Sequence, residues 1–504
     1  MKMNNFLQQN DANETPVFIS DYQVKLCNDM INRHNTATGE SVTALPPYFV
    51  WDNKHNTNYR ISAPLLANYI RSTEHFFYVA APHGGDDAML YWYGNGCYHL
   101  ISNRIFKGKI KQYIYSYTCE INVVNIVNEV FNDLNTDINY KSFEELDANE
   151  NTINFLNGLL NVDTMELRAH SPDEISTIQL PCKWNPNAQS QPIFDSYMDT
   201  LTGGDNNVKQ LLMEFMGVAL SNVAGYRAKK SLLIVGKGNT GKTQLRSLCN
   251  MLLGSENVST ADMGVFEQQF GPIQVIGKRL IGSPDLKFKE DRSIEVFKQL
   301  TGGDDISCER KFGGSYQYRF KGVIWNCGND FPRFCGDKGL HVYDRFVVVR
   351  CDNIIPENKR DANICEKMYQ ERESIIVQAV LALKRFIAND YKYDIPPICN
   401  NNLREFKYEN SQVEEFIASC CEYVKVPTPV SSICSTRVVF AVFREWARFN
   451  NYKPLTVRKF RAELACILNN GDVNSLDKIS NGYHYYPKIV LNNQARVIYK
   501  DLIR

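Results

Sequence analysis

The chain has no excess of charge of either sign. Its 504 residues carry 56 Lys and Arg against 56 Asp and Glu. A neutral total excludes a global basic field, so any polyanion partner must be met by a local patch. Among its 15 cysteines there is no C-x-x-C pair, and the spacings are irregular. Neither a zinc site nor a disulfide framework is indicated, and reduced thiols in a cytosol are expected. No run of about 18 apolar residues occurs, so no membrane span or membrane partner is expected. The polar start, Met1 to Asn13, lacks an apolar core, and no signal peptide is read there. No internal repeat is apparent. Apolar and charged fractions of 44% and 22% are ordinary for a globular protein, and the length predicts about three domains.

What is present is a phosphate loop. The run Gly236-Lys-Gly-Asn-Thr-Gly241-Lys242-Thr243 fits G-x-x-x-x-G-K-T. It follows the apolar Leu232 to Val235 and precedes a helix-compatible segment, Gln244 to Leu253. Strand, glycine-rich loop and helix predict a nucleotide site: glycines admit a phosphate without Cβ clashes, and backbone N–H groups and the helix start face the anion. The cradle is Gly236, Gly238, Asn239, Thr240, Gly241, Lys242 and Thr243. Lys242 can reach the β- and γ-phosphates of ATP, and the Thr243 hydroxyl can ligate Mg²⁺. The plainer alternative is a tight surface turn.

Around this loop the pattern divides the chain. Residues 1 to about 15 read as disordered. Short helical and strand-like pieces follow, with a helix over Val123 to Leu134 and turns over Asn149 to Asn157. Residues 166 to 192 read as an extended linker, and Asp195 to Val223 as helical. Alternating strand and helix signals then run to about residue 385, as an α/β sheet needs. Tyr391 to Pro397 reads as a linker. The last segment restarts with helices over Val438 to Asn450 and Val457 to Leu468, and ends in strand-like stretches at Tyr483 to Leu491 and Arg496 to Leu502. The expected domains are an α+β N-terminal region (1–165), a linker and helical collar (166–230), an ATPase domain (231–390) and a DNA-binding domain (391–504).

A phosphate loop needs an acid on a neighbouring strand for Mg²⁺ and the attacking water. Asp285, after the buried-strand signal Leu280-Ile281, is placed for it, although a turn Asp after Pro284 reads equally well. Asn329, ending the run Gly322 to Asn329, can orient water at the γ-phosphate or simply make a turn. Arg345, before the apolar Phe346 to Val349, can serve as an arginine finger or as a surface ion-pair residue. Between these lie two strand-like runs flanking Gly313-Gly314, which predict a β-hairpin. Its tip offers Arg310 and Lys311 with the aromatics Phe312 and Tyr316, cations and stacking faces suited to single-stranded DNA. The alternative is an exposed edge protected by charge. Near the C-terminus, Pro454-Leu-Thr456 reads as a turn and N-cap, and the next helix opens with Arg458, Lys459 and Arg461. That is helix-turn-helix geometry with a basic second helix, or an ordinary solvated basic face.

The runs Lys298-Gln-Leu-Thr-Gly-Gly-Asp304, Glu309-Arg-Lys-Phe312, Asn329-Asp-Phe-Pro332 and Asp344-Arg345-Phe346 resemble superfamily-3 helicases. More narrowly, they are similar to the AAA+ primase-helicases of phages, plasmids and poxviruses. Tyr91-Trp-Tyr-Gly-Asn-Gly-Cys-Tyr98, Asn154 to Val162 and Pro181 to Pro186 extend the resemblance, which covers about residues 75 to 385. The nearest likeness is to replication initiator-helicases of staphylococcal pathogenicity islands. It implies an AAA+ P-loop domain, a C-terminal winged helix and a hexameric homo-oligomer with ATP between subunits. It implies 3′→5′ translocation on single-stranded and forked DNA, the hairpin in the pore, recognition of replication origin DNA, and a bacterial host's cytoplasm. It assigns Lys242 to the phosphates, Asp285 to Mg²⁺ and catalysis, Asn329 to sensing and Arg345 to the finger. Two departures stand out. Pro284 precedes a single Asp285 where the family often pairs acids, and Asp344 replaces the first of two arginines. Two other functions stay open: a bifunctional primase-helicase, and an ATP-switched origin-binding protein without unwinding. Against the first, the short stretch before residue 75 shows no spaced acid pair for polymerase metals, and Asp86-Asp87 read as a turn.

Overall fold

A computed structural model describes residues 20–503 apart from 53–57, 80–87, 120–121, 137–138, 287–293, 312–313, 333–339, 425–431, 451, 453, 470–471 and 481. The expectations for residues 1–15, Asp86-Asp87, Phe312 and Gly313 lie outside the described residues. The chain forms two compact units, residues 1–146 with 171–177, and residues 147–170 with 178–504.

In the first unit, three antiparallel strands, Phe76–Val79, Met89–Gly94 and Cys97–Ile101, form a sheet. Helices Ala63–Thr73, Asn103–Tyr115 and Val124–Asn135 bring apolar residues to it at helical spacing. Leu66 and Ile70, Phe106, Ile110 and Ile114, and Val130 and Leu134 are all fully buried in one core. The helix expected over Val123 to Leu134 is present. Phe76 stacks on Trp92 with ring centroids 5.5 Å apart, which pins the register of the first two strands.

The second unit opens with a small antiparallel sheet, Thr152–Phe155, Gly158–Asn161 and Leu167–Arg168, where turns were expected over Asn149 to Asn157. The polar composition concealed a buried strand. Asn154 lies in the interior because its Oδ1 is paired with His170 Nε2 and Gln179 Nε2, both at 3.1 Å. The stretch read as a linker is extended, yet Leu180, Cys182 and Trp184 are buried in the core. The helical stretch that follows is two helices, Pro192–Thr202 and Asn206–Ala219. Gly203, left-handed at φ 66°, ends the first, and the Asp205 carboxylate caps the second.

Five parallel strands form the centre of this unit. Their spatial order is Val258–Ser259, Leu280–Ile281, Val323–Gly328, Ser231–Val235, Phe346–Arg350. The earliest of the five in sequence, Ser231–Val235, thus lies between the two latest. Strands buried on both faces read as apolar runs, as these do. At the N-terminal edge of the sheet, the fully buried Arg279 donates to the carbonyls of Val218 (2.8 Å), Val223 (2.7 Å) and Lys321 (2.7 Å), with a longer bond to Ala219 (3.5 Å). It satisfies the open C-terminus of helix Asn206–Ala219, and burial depresses its pKa to about 10. Tyr391 to Pro397, also read as a linker, buries Tyr393 face to face with Phe215, 3.9 Å between centroids.

The expected hairpin is Asp305–Glu309 paired with Ser315–Arg319. Beyond residue 410, helices Gln412–Cys420, Thr436–Phe449 and Val457–Asn469 share a core that includes Val413, Phe416, Phe443 and Phe460. A hairpin, Lys478–Ser480 with Tyr483–Tyr485, follows, and Ile489–Leu491 pairs with Cys421–Tyr423. The stretch expected as strand over Arg496 to Leu502 is helical instead. The Asn492 side chain accepts from Ala495 N at 2.8 Å and starts helix Asn493–Ile498. Among the described residues, no helix is long and apolar enough to cross a membrane.

Candidate functional site

The phosphate loop leaves strand Ser231–Val235 through Gly236, at φ 147°. A Cβ there would stand 2.0 Å from the Cys351 carbonyl, so no side chain fits. The loop closes on helix Lys242–Leu253 through Gly241, left-handed at φ 94° and seated against the Tyr197 ring. The Tyr197 hydroxyl donates to the Gly241 carbonyl at 2.6 Å. Lys242 folds back into the loop and donates to the carbonyls of Gly236 (2.5 Å) and Lys237 (2.7 Å) and to Thr240 Oγ1 (3.2 Å). Burial lowers its pKa, opposed by the electrostatic pull of nearby thiols and of Asp285. These partners, two carbonyls and a hydroxyl, carry no formal charge, and phosphate oxygens can replace them.

The expected acid lies beside the loop. After Leu280–Ile281 the chain stays alongside the central strand: Cys327 N donates to Ser283 O at 2.9 Å, and Leu286 N to Cys327 O at 2.6 Å. Asp285 is exposed at this edge, and its N–H donates to Ser283 Oγ at 3.3 Å. Thr243 Oγ1 is 3.4 Å from the Pro284 carbonyl. Thr243, in the first turn of its helix, thus meets the backbone just before Asp285. Asn329 follows Gly328 at the end of the central strand and is exposed. Gly238 to Thr243, Asp285 and Asn329 line one cleft of about 1070 Å³. The structure brings them together at the C-terminal edge of the sheet, where open α/β sheets assemble their sites. Arg345 is not part of this cleft. Its Nη1 donates to Lys298 O (3.0 Å) and Thr301 Oγ1 (2.7 Å), while its Nε is buried without a partner among the described residues.

Several cleft residues escaped the sequence reading. Pro192, Ile193 and Tyr197, from the first helix of the split pair, form one wall; Ile354, Pro356 and Lys359 form another. Asn326, fully buried in the central strand, accepts from Ser283 N at 2.9 Å and so fixes the strand end bearing Asp285. A lone amide inside the apolar run Val323 to Cys327 was the signal for it. Arg246, also fully buried, reaches Gly282 O and Trp325 O at 3.4 Å from beneath. Nothing in the sequence marked it, since it follows a helix start where arginine is usually solvated.

The proposed DNA contacts divide. Arg310 and Lys311 are exposed at the hairpin's end. Tyr316, expected as a stacking face, is fully buried opposite Cys308, because strand alternation turns it inward. On helix Val457–Asn469, Arg458 and Lys459 are exposed. Arg461 is tied to Asp477 at 2.6 Å, and the same carboxylate takes His484 Nδ1 at 2.6 Å. The expected N-cap Thr456 accepts from Lys459 N at 3.4 Å.

Three families match separate stretches of the chain: "D5 N terminal like" over residues 29–203, "Family of unknown function (DUF5906)" over 234–344, and "Poxvirus D5 protein-like" over 408–493. Among solved structures, the A form apo structure of the NrS-1 C-terminal region is 12% identical, covering 76% of this chain and 79% of that one, with a TM-score of 0.47. The A form apo structure of its 305–718 piece is 11% identical over 84% and 98%, with a TM-score of 0.48. The two D5 matches, one before the five-stranded sheet in sequence and one after it, support a likeness to the D5-type primase-helicases of phages and poxviruses.

Proposed function

We propose that this chain is an ATP-dependent DNA helicase of the superfamily-3, AAA+ type, working as a hexameric ring and initiating replication of a mobile element in a bacterial cytoplasm. The carrying observation is the convergence of Lys242, Thr243, Asp285 and Asn329 on one cleft at the C-terminal edge of a parallel sheet. In this reading ATP lays its phosphates along Gly236 to Thr243, and Lys242 exchanges its loop carbonyls for the β- and γ-oxygens. Thr243 and Asp285 would hold Mg²⁺, which neutralises phosphate charge when bound. One carboxylate and one hydroxyl suit an ion that keeps waters and phosphate oxygens as its other ligands. Asn329 orients the attacking water.

Arg345 lies off its own chain's cleft with an N–H unpaired among the described residues, which supports a role as finger to a neighbouring subunit. Arg310 and Lys311, with Phe312, grip the single strand in the pore. Helices Thr436–Phe449 and Val457–Asn469, followed by a two-stranded hairpin, support a winged helix that meets origin DNA through Arg458 and Lys459, with Arg461 bracing the wing through Asp477. The domain limits at 165, 230 and 390 belong to the same proposal. The test is unwinding of forked DNA carrying a 3′ tail, with ATP and Mg²⁺, by wild type and Lys242→Ala. Strand separation by wild type alone is expected. Equal turnover and unwinding by the variant, or a wild type inert towards ATP in the presence of single strands, would overturn the reading.

A further inference from the structure

The first unit carries a basic helix that the reading above leaves unused. From Met89 to Cys119 the sequence has no Asp or Glu, while Arg104, Lys107, Lys109 and Lys111 fall on helix Asn103–Tyr115. In a chain of zero net charge this is a local field of one sign. Phe106, Ile110 and Ile114 face the core, so Arg104, Gly108, Lys111 and Tyr115 share the outer face, with Lys107 and Lys109 flanking it. None of the four cations has a carboxylate partner among the described residues. Lys107 donates to Asn128 Oδ1 at 3.0 Å and lies 4.5 Å from the Phe131 ring centre; Lys109 lies over Trp92 at 5.0 Å, and Lys111 over Tyr115 at 4.4 Å. The ammonium groups lie over aromatic rings, and among the described residues no carboxylate neutralises them.

Gly108 is the second observation. It sits in mid-helix, where glycine is the poorest former after proline. Its φ is ordinary, and a Cβ there would meet nothing within 4 Å. The fold does not require this glycine; its effect is to leave the outer face open between the cations. Beside it, Ile105 and Tyr115 are exposed at 51% and 36%. Apolar faces among cations match unstacked bases, which a duplex keeps inside.

We infer that the outer face of helix Asn103–Tyr115 is a second contact surface for single-stranded DNA. Arg104, Lys107, Lys109 and Lys111 take its phosphates, and the strand runs over Gly108. The inference goes beyond the proposed motor site and relies on it only for the presence of a strand. The experiment uses the full chain without nucleotide. Anisotropy of a labelled oligo(dT) is titrated across a salt series, with a blunt duplex of equal length as the second arm. Arg104→Gln, Lys107→Gln, Lys109→Gln and Lys111→Gln combined should weaken oligo(dT) binding about tenfold or more. Each lost phosphate contact should flatten the salt slope by about 0.7. The pair Arg104→Gln with Lys111→Gln, which uncovers no core ring, should give about half the change in slope. Gly108→Leu should weaken binding several-fold with the thermal transition unchanged or raised. Basal ATP turnover should persist in all of them. Unchanged affinity and slope in the four-site variant would overturn the surface, and an equal loss on the duplex would overturn its single-strand assignment. A chain that hydrolyses no ATP but loses oligo(dT) in these variants would retain this surface while losing the motor reading.

Discussion

Lys242 and Arg279 are buried cations at opposite edges of one parallel sheet, and both are held by carbonyl groups. Their partners differ in kind. Arg279 is surrounded by the carbonyls of a helix end and of a strand entry, a set that fills its fork and that no ligand can reach. Lys242 borrows carbonyls from a loop that faces a cleft, and every one can be given up to a phosphate oxygen. Burial of a cation therefore does not separate structure from chemistry; the exchangeability of its partners does. Arg345 falls between them, bonded to two acceptors and with one buried N–H unpaired among the described residues.

The comparison breaks most sharply in turnover. Lys242→Ala should lower ATP hydrolysis by about 10³-fold or more with a thermal transition near wild type. Arg345→Ala should lose about 10³-fold or more while still binding nucleotide, since a finger acts on transition-state charge. Mixing the two inactive variants should restore part of the activity. Confirmed mixed rings without rescue would make Arg345 a structural residue. Arg279→Met should do the reverse of Lys242→Ala, costing about 3–5 kcal/mol of stability, because several buried carbonyls lose their donor. Calorimetric transitions of the variants, set beside their turnover, decide the matter; a stable, inactive Arg279→Met would erase the distinction. Replacing Arg310 and Lys311 with Ala should reduce single-strand affinity about tenfold and uncouple unwinding from basal hydrolysis. The smallest effect belongs to Tyr197→Phe, which removes one hydrogen bond to Gly241. A loss of about 1 kcal/mol in nucleotide affinity is expected, read by ADP titration.

The order strand, glycine-rich loop, helix was legible because it is local: eight consecutive residues mark the loop, and the strand and helix beside it follow from apolar runs. Asp285 and Asn329 were legible in order but not in space, since only the parallel register places their strand ends side by side. The cleft's outer walls were not legible. Pro192 and Ile354 carry no motif, and they meet the loop only through the packing of a helix and a strand exit. Polar sequence also misled. The Asn-rich stretch around Asn154 hid a strand because amides can be buried when they are paired, and Arg496 to Leu502 alternated like a strand until the Asn492 cap turned it into a helix. Tyr316 shows the same limit at one residue, where composition named an aromatic and strand parity decided which way it faced.

The helix that walls the cleft has a dependence of its own. The N–H groups of Ile193 and Phe194 donate to the two oxygens of Glu371, at 3.0 and 2.9 Å, far along the chain. Strand Phe346–Arg350, beside the loop strand, is also late to be made. On a ribosome adding roughly 5–20 residues per second, the phosphate loop emerges several seconds before either partner. During that interval the nascent chain has the nucleotide motif but not the finished cleft. Under the proposed function, competence for ATP is thereby deferred until the sheet and its covering helix are complete.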